Sequence, residues 1–273
     1  MDKTIEFCCD GAAAVKQLEL FRMVIFTGQP GIPAISMGKL HFCLNPPRML
    51  TAFSRLRPEE ELVRFRQAQL NCIHELSQLH KRAVELVGPS QATVFMIYAM
   101  MVEDSVYVDM VHTYIKTQNM TAEYAISMTG EYFAAAFSDL EDEYMRARGE
   151  DVFNVCKHLV HNLIDFREVR DTLDEPAILL DNEFSPGRIL NMERDKVIAL
   201  VAKRGSIYTH AAQLTKVLGI PAAAQMDVPP IYEGHFAILD GCEGKLYVDP
   251  VPEIIQEMTE KRSACSLRQA APA

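Results

Sequence analysis

The spacing of apolar residues changes twice along the chain and divides it into three stretches. Met23-Val24-Ile25-Phe26 opens a strand-like run over residues 24–45, which Asn45-Pro46-Pro47 breaks. From about Arg57 to Leu163 the period becomes helical. Leu62, Phe65, Ala68, Ile73, Leu76, Leu79, Ala83 and Leu86 recur near the 3.6 spacing and predict a long amphipathic helix over 60–87. Gly88-Pro89-Ser90 punctuates it, and further helices are predicted over 92–117, 121–145 and 152–166, with Thr121 as an N-cap. Long helices with short breaks predict an antiparallel bundle. After Glu175-Pro176 short apolar runs return. Residues 177–180, 197–202, 236–239 and 246–248 read as strands, Pro186 to Met192 and Ala211 to Leu218 as helices, and Glu253 to Arg262 as an exit helix. The bundle is therefore expected as an insertion in an α/β domain, whose first strand comes from 24–45 and the rest from 177–250.

Composition narrows the class. The chain has 273 residues, 49% of them hydrophobic and 23% charged, as in ordinary globular proteins. Its net charge of −10, with no stripe of Lys and Arg, argues against a nucleic-acid binder. Seven scattered cysteines without a CxxC spacing read as reduced thiols, not a disulfide framework or zinc site, and a cytoplasmic location is expected. No signal peptide and no run of 18 uncharged apolar residues is present, so no membrane insertion is expected. His158 and His161, spaced i,i+3 near Cys156, read as surface residues, and no metal site is expected.

Candidate chemistry concentrates at His210. It closes the segment Lys203-Arg204-Gly205-Ser206-Ile207-Tyr208-Thr209-His210, where a buried strand gives way to a helix. The first N–H groups of a helix lack intrahelical partners and its dipole is positive there, so the position suits a group that carries phosphate. By itself the signal is also that of a capping or surface histidine.

Four stretches, in order, carry a resemblance. They are Gly31-Ile32-Pro33-Ala34-Ile35-Ser36-Met37-Gly38-Lys39, the run Leu140 to Val152 (LEDEYMRARGEDV), Gly205 to Ala212 with Leu218-Gly219-Ile220-Pro221-Ala222, and Ile238 to Pro250 (ILDGCEGKLYVDP). Together they resemble the N-terminal half of Enzyme I of the bacterial phosphoenolpyruvate-dependent sugar phosphotransferase system. The third also resembles the swivelling domains of phosphoenolpyruvate synthase and pyruvate phosphate dikinase. The match runs from about Met23 to about Arg262.

The resemblance implies an α/β fold: a swivelling phosphohistidine domain over 23–50 and 172–262 with an all-α helical domain inserted over 51–171. Residues 1–22 are an unmatched extension, with Met23 a candidate natural start, and 263–273 an expected frayed tail. It implies that His210 takes and gives a phosphoryl group, with Ser185, in Phe184-Ser185-Pro186-Gly187, orienting the imidazole. Thr209, Gly205, Ser206 and Lys216 would stabilise the phosphate. The helical domain would dock a histidine phosphocarrier protein through Arg148, Glu150, Met100 and Met101. The family's barrel, which binds phosphoenolpyruvate and magnesium, is not represented, so no cofactor is expected in this chain, and a separate barrel domain is a second expected partner.

The resemblance is incomplete around the nucleophile. The family has Gly-Gly-Arg-Thr-Ser-His where this chain has Gly205-Ser206-Ile207-Tyr208-Thr209-His210, and Ile-Met-Ala-Arg where it has Gln213-Leu214-Thr215-Lys216. A turn glycine and a turn arginine are lost, and Lys216 keeps charge without the guanidinium fork. Beside the phosphotransferase stands a second expectation, a decayed interaction module that binds the carrier or regulates a full-length Enzyme I.

Overall fold

The structure is a computed structural model that describes residues 23–43, 50–164 and 173–270, with side chains through Ser263. Eight strands, β1 (Val24–Thr27), β2 (Gln29–Pro30), β3 (Ile35–Phe42), β4 (Ala177–Asp181), β5 (Val197–Ala202), β6 (Ala222–Ala224), β7 (Phe236–Asp240) and β8 (Lys245–Val248), form one sheet in the order β1-β8-β7-β3-β4-β5-β6-β2. β3, β4, β5 and β6 run parallel, while β7, β8, β1 and β2 pair antiparallel with their neighbours. Only Gly28 separates β1 from β2, yet these two strands bond to opposite edges. The sheet must therefore curl until its edges meet along this segment. Close approach of backbones requires glycine here: a Cβ on Gly31 would sit 2.2 Å from the Ala222 carbonyl oxygen.

Between β3 and β4 the chain leaves the sheet to build the helical insert. Its described helices are α1 (Pro58–Val87), α2 (Pro89–Glu103), α3 (Ser105–Gln118), α4 (Ala122–Ser138) and α5 (Glu143–Leu163). Two boundaries differ from the periodicity. The helix expected over 92–117 breaks at Asp104, whose carboxylate accepts the Val106 and Tyr107 N–H groups at 3.0 Å and starts α3. The break expected between 145 and 152 lies instead at 139–142, because Asp142 caps α5 through Tyr144 and Met145. A short polar side chain that satisfies orphan N–H groups outweighs an unbroken apolar period.

After the insert come α6 (Pro186–Asn191), α7 (His210–Leu218) and α8 (Pro252–Ala270), the last running beyond the expected end at Arg262 into the tail expected to fray. The expected extension 1–22 lies outside the described residues. Alternation along the strands divides the core. Leu179 and Leu200 join α6, α7 and the insert in one continuous cluster that includes Leu76, Phe95, Leu159, Phe184, Ile189 and Leu214. Ile178, Leu180, Ala199 and Val201 point to the other face, against Leu239, Leu246 and Val248. Because one core spans both parts, the insert is packed onto the face of the sheet that carries α6 and α7.

Candidate functional site

The turn between β5 and α7 is built by its own polar groups. Gly205 has φ +110°, a conformation that disfavours any side chain. The Ser206 hydroxyl accepts the Tyr208 N–H at 3.2 Å, and the Ser206 carbonyl accepts the Thr209 hydroxyl at 3.0 Å. Thr209 then caps α7, its Oγ1 accepting the Ala212 N–H at 3.1 Å. Its extended backbone, φ −71° and ψ 153°, makes His210 the first helical residue, one earlier than the periodicity indicates. From outside the turn, Gln225 Nε2 donates to the Gly205 carbonyl at 3.2 Å.

The imidazole meets the helical insert. His210 Nδ1 lies 2.9 and 3.0 Å from the two carboxylate oxygens of Asp151 on α5. Arg148, one turn earlier on α5, places Nη1 2.7 Å from Nδ1, 2.9 Å from Nε2 and 2.9 Å from Asp151 Oδ2, while its Nη2 donates to the Tyr208 carbonyl at 2.7 Å. Tyr98 on α2 donates its hydroxyl to Asp151 Oδ1 at 2.6 Å and stands edge-on to the His210 ring. The His210 side chain is 18% exposed and that of Asp151 6%. Burial first, then the Asp151 charge, pushes the Tyr98 phenol well above its ordinary range, so it acts as a donor. Burial also raises Glu150, beside Asp151, to about 6.

The expected site residues separate into three groups. Thr209, Gly205 and Ser206 converge on His210 by shaping its turn. Arg148 and Glu150 were expected on a docking surface; Arg148 instead contacts the histidine, and Glu150 is half-buried toward Gly205, its Oε2 4.0 Å from where a Cβ there would be. Four expected residues stand apart. Ser185 caps α6, its hydroxyl accepting the Arg188 N–H at 3.2 Å, and is not among the hydrogen-bond partners of His210. Lys216 is six residues along α7, about 9 Å up the axis, at an exposed position. Met101 packs against the core, whereas Met100 is 71% exposed beside Met96 and Ile97. Asp151 and Tyr98 were not singled out. Asp151 had a weak signal, since an acid three residues after Arg148 shares its helix face; Tyr98 had none, lying in an apolar run.

Among the described residues no group of three or more His, Cys, Asp or Glu is arranged to hold a metal ion. No described helix is long and apolar enough to cross a membrane. A cavity of about 570 Å³ flanks α7 on the side of Gly31, Ala212, Thr215 and Lys216. Another, of about 510 Å³, opens between α5 and the β4–α6 segment and includes Ser185.

Comparison with known proteins agrees with this layout. Residues 27–148 match the family described as "PEP-utilising enzyme, N-terminal", and residues 173–244 match "PEP-utilising enzyme, mobile domain". A phosphoenolpyruvate-protein phosphotransferase of Bacillus sp. (strain S) is 24% identical over 215 residues, covering 78% of this chain and 37% of the relative. Its counterpart in Bacillus subtilis (strain 168) is 26% identical over 215 residues, 78% of this chain and 38% of the relative. The chain thus spans under two fifths of the length of these relatives. The solution structure of an Enzyme I protein (nEIt) superposes with a TM-score of 0.64 at 23% identity, over 88% of this chain and 99% of that one, and shows the shared fold.

Proposed function

This chain belongs to the PEP-utilising enzymes, carrying their N-terminal and mobile domains, and on that premise we propose that it passes a phosphoryl group through His210, exchanging it with a histidine phosphocarrier protein docked on the helical insert. The observation that carries the reading is the junction itself. His210 is the first residue of α7, where unpaired N–H groups and the helix dipole favour a phosphate, and Arg148 of the insert reaches across to it.

The chemistry asks little of the protein beyond position and charge. The Nε2 lone pair attacks the phosphorus of the carrier's phosphohistidine. The new N–P bond forms as the old one breaks, and its electron pair returns to the carrier imidazole. Arg148, within reach of Nε2, would meet the charge on the equatorial oxygens. No metal enters this exchange; in the resemblance, phosphoenolpyruvate and magnesium belong to the barrel. Met96, Ile97 and Met100 present an exposed apolar strip on α2, a helix that also delivers Tyr98 to the site, and are the proposed docking surface.

A second reading, docking without chemistry, is favoured by the same Arg148, which in this conformation occupies the nucleophilic nitrogen. The test is incubation with a carrier labelled by ³²P on its histidine. Acid-labile, base-stable label on the wild type and none on His210→Ala supports phosphotransfer. Equal absence of label, with the carrier still bound, supports the docking module.

A further inference from the structure

A histidine that carries phosphate needs a neighbour that accepts a proton from its ring. An imidazole attacks through Nε2 only when its proton sits on Nδ1, and free imidazole favours the opposite tautomer. The resemblance assigned the accepting role to Ser185. The geometry shows Ser185 in another one: its hydroxyl accepts the Arg188 N–H at the start of α6, and it is not among the hydrogen-bond partners of His210.

Resting on phosphotransfer through His210, we propose that Asp151, held in place by Tyr98, is the positioning residue that fixes His210 as the Nδ1–H tautomer. Both Asp151 oxygens lie within 3.0 Å of Nδ1. A carboxylate accepts only, so Nδ1 must donate. Arg148 Nη1 lies against both ring nitrogens, 2.7 Å from Nδ1 and 2.9 Å from Nε2; with the Nδ1 proton directed to Asp151, Nε2 is the nitrogen whose lone pair can accept from it. Asp151 cannot turn away: its side chain is buried, Oδ1 receives the Tyr98 hydroxyl at 2.6 Å, and Oδ2 lies 2.9 Å from Arg148 Nη1. This is the logic by which a buried carboxylate holds a catalytic histidine in its working tautomer.

The arrangement also distributes charge through the transfer. When Nε2 gains the phosphoryl group the ring becomes a phosphoimidazolium, and its Nδ1 proton stays on the hydrogen bond to Asp151. When phosphate leaves, the electron pair of the N–P bond returns to Nε2, and the ring is again neutral with the same proton in place. No proton has to enter or leave the site. Arg148 uncovers Nε2 by moving the short distance from the lone pair to the incoming phosphoryl oxygens.

The insert thereby supplies a residue on which the chemistry in the α/β domain depends. His210 is in its working tautomer only while α5 lies against α7. A histidine displaced from α5 would lose its tautomer control along with its arginine.

The test uses the full chain labelled with ¹⁵N-histidine, with His210→Ala assigning the resonances. Ring nitrogen shifts then report the tautomer in wild type, Asp151→Ala, Asp151→Asn, Tyr98→Phe and Ser185→Ala. Wild type is expected as Nδ1–H. Asp151→Asn keeps an accepting oxygen and is expected to keep that tautomer, whereas Asp151→Ala is expected to shift to Nε2–H and to lower the transfer rate from phosphorylated carrier about 100-fold or more. A purely electrostatic or structural role would make Asn and Ala equivalent, because both lose the charge. Retention of Nδ1–H in Asp151→Ala, equivalence of the two Asp151 variants, or a tautomer shift in Ser185→Ala overturns the proposal. If wild type accepts no phosphate, the phosphotransfer reading fails, while the tautomer measurement still decides the role of Asp151.

Discussion

Glu150→Gln isolates the electrostatic cost of building this site. Glu150 lies next to Asp151 and faces the turn at Gly205. Burial, then the charge of Asp151, raises its carboxyl from the ordinary 4.5 to about 6, against the opposing pull of Arg148 and Lys157. A rise of that size corresponds to about 2 kcal/mol. Residual solvent contact screens the site and reduces the expected effect to about 1 kcal/mol. The sign comes from proton counting. Between pH 4.5 and 6 the folded chain holds a proton that the unfolded chain has lost, so this group makes stability fall as pH rises through that window and level off above it. Glutamine cannot ionise. Urea unfolding of both proteins from pH 4 to 7.5 should show Glu150→Gln gaining about 1 kcal/mol on wild type across the window, equivalent to roughly 2–4 °C in Tm for a chain of this size. A difference between the two proteins that does not change with pH, or that changes in the opposite direction, would refute the argument.

Thr209→Ala removes the cap of α7 and the bond to the Ser206 carbonyl. It should cost about 1 kcal/mol in urea unfolding, with Thr209→Ser restoring most of it. Gly130 on α4 faces Cys156 on α5, and a Cβ there would lie 2.5 Å from the Cys156 sulfur. Gly130→Ala should destabilise by about 1–3 kcal/mol in thermal melts, and Cys156→Ala in the same chain should recover part of that loss. On the proposed docking strip, Met100→Asp should weaken carrier binding by about tenfold in calorimetry without lowering Tm, because the side chain is exposed. The core-facing Met101→Asp should lower Tm first.

The insertion of a helical unit between the first strand and the rest of the sheet was legible because the apolar pattern changes from short strand-like runs to a 3.6 spacing and back. Each strand expected after residue 177 is present. What the pattern did not contain was how the two parts face each other. Leu179 and Leu200 read simply as buried strand positions; that they are buried by the insert comes from packing alone. The site shows the same divide. Thr209, Gly205 and Ser206 were readable because a turn is built from neighbouring residues. The partners of the imidazole were not, since Asp151 and Tyr98 are 59 and 112 residues from His210 along the chain. A hydroxyl before Pro186 satisfies a helix start as readily as it would an imidazole; Ser185 caps α6 and is not among the hydrogen-bond partners of His210. The phosphate role of Lys216 is carried over from the arginine that the family has in its Ile-Met-Ala-Arg segment; in the structure nearly two helical turns separate it from His210.

The most direct test of phosphotransfer through His210 is to locate the phosphate. After exchange with phosphorylated carrier, trypsin would release Gly205 to Lys216 as one peptide, with His210 its only histidine. Mass spectrometry at neutral pH should find one phosphate on this peptide, lost on mild acid treatment, with fragment ions placing it on His210. Phosphate that survives acid, marking Ser206, Tyr208, Thr209 or Thr215, or label on another histidine-containing peptide, would contradict the account.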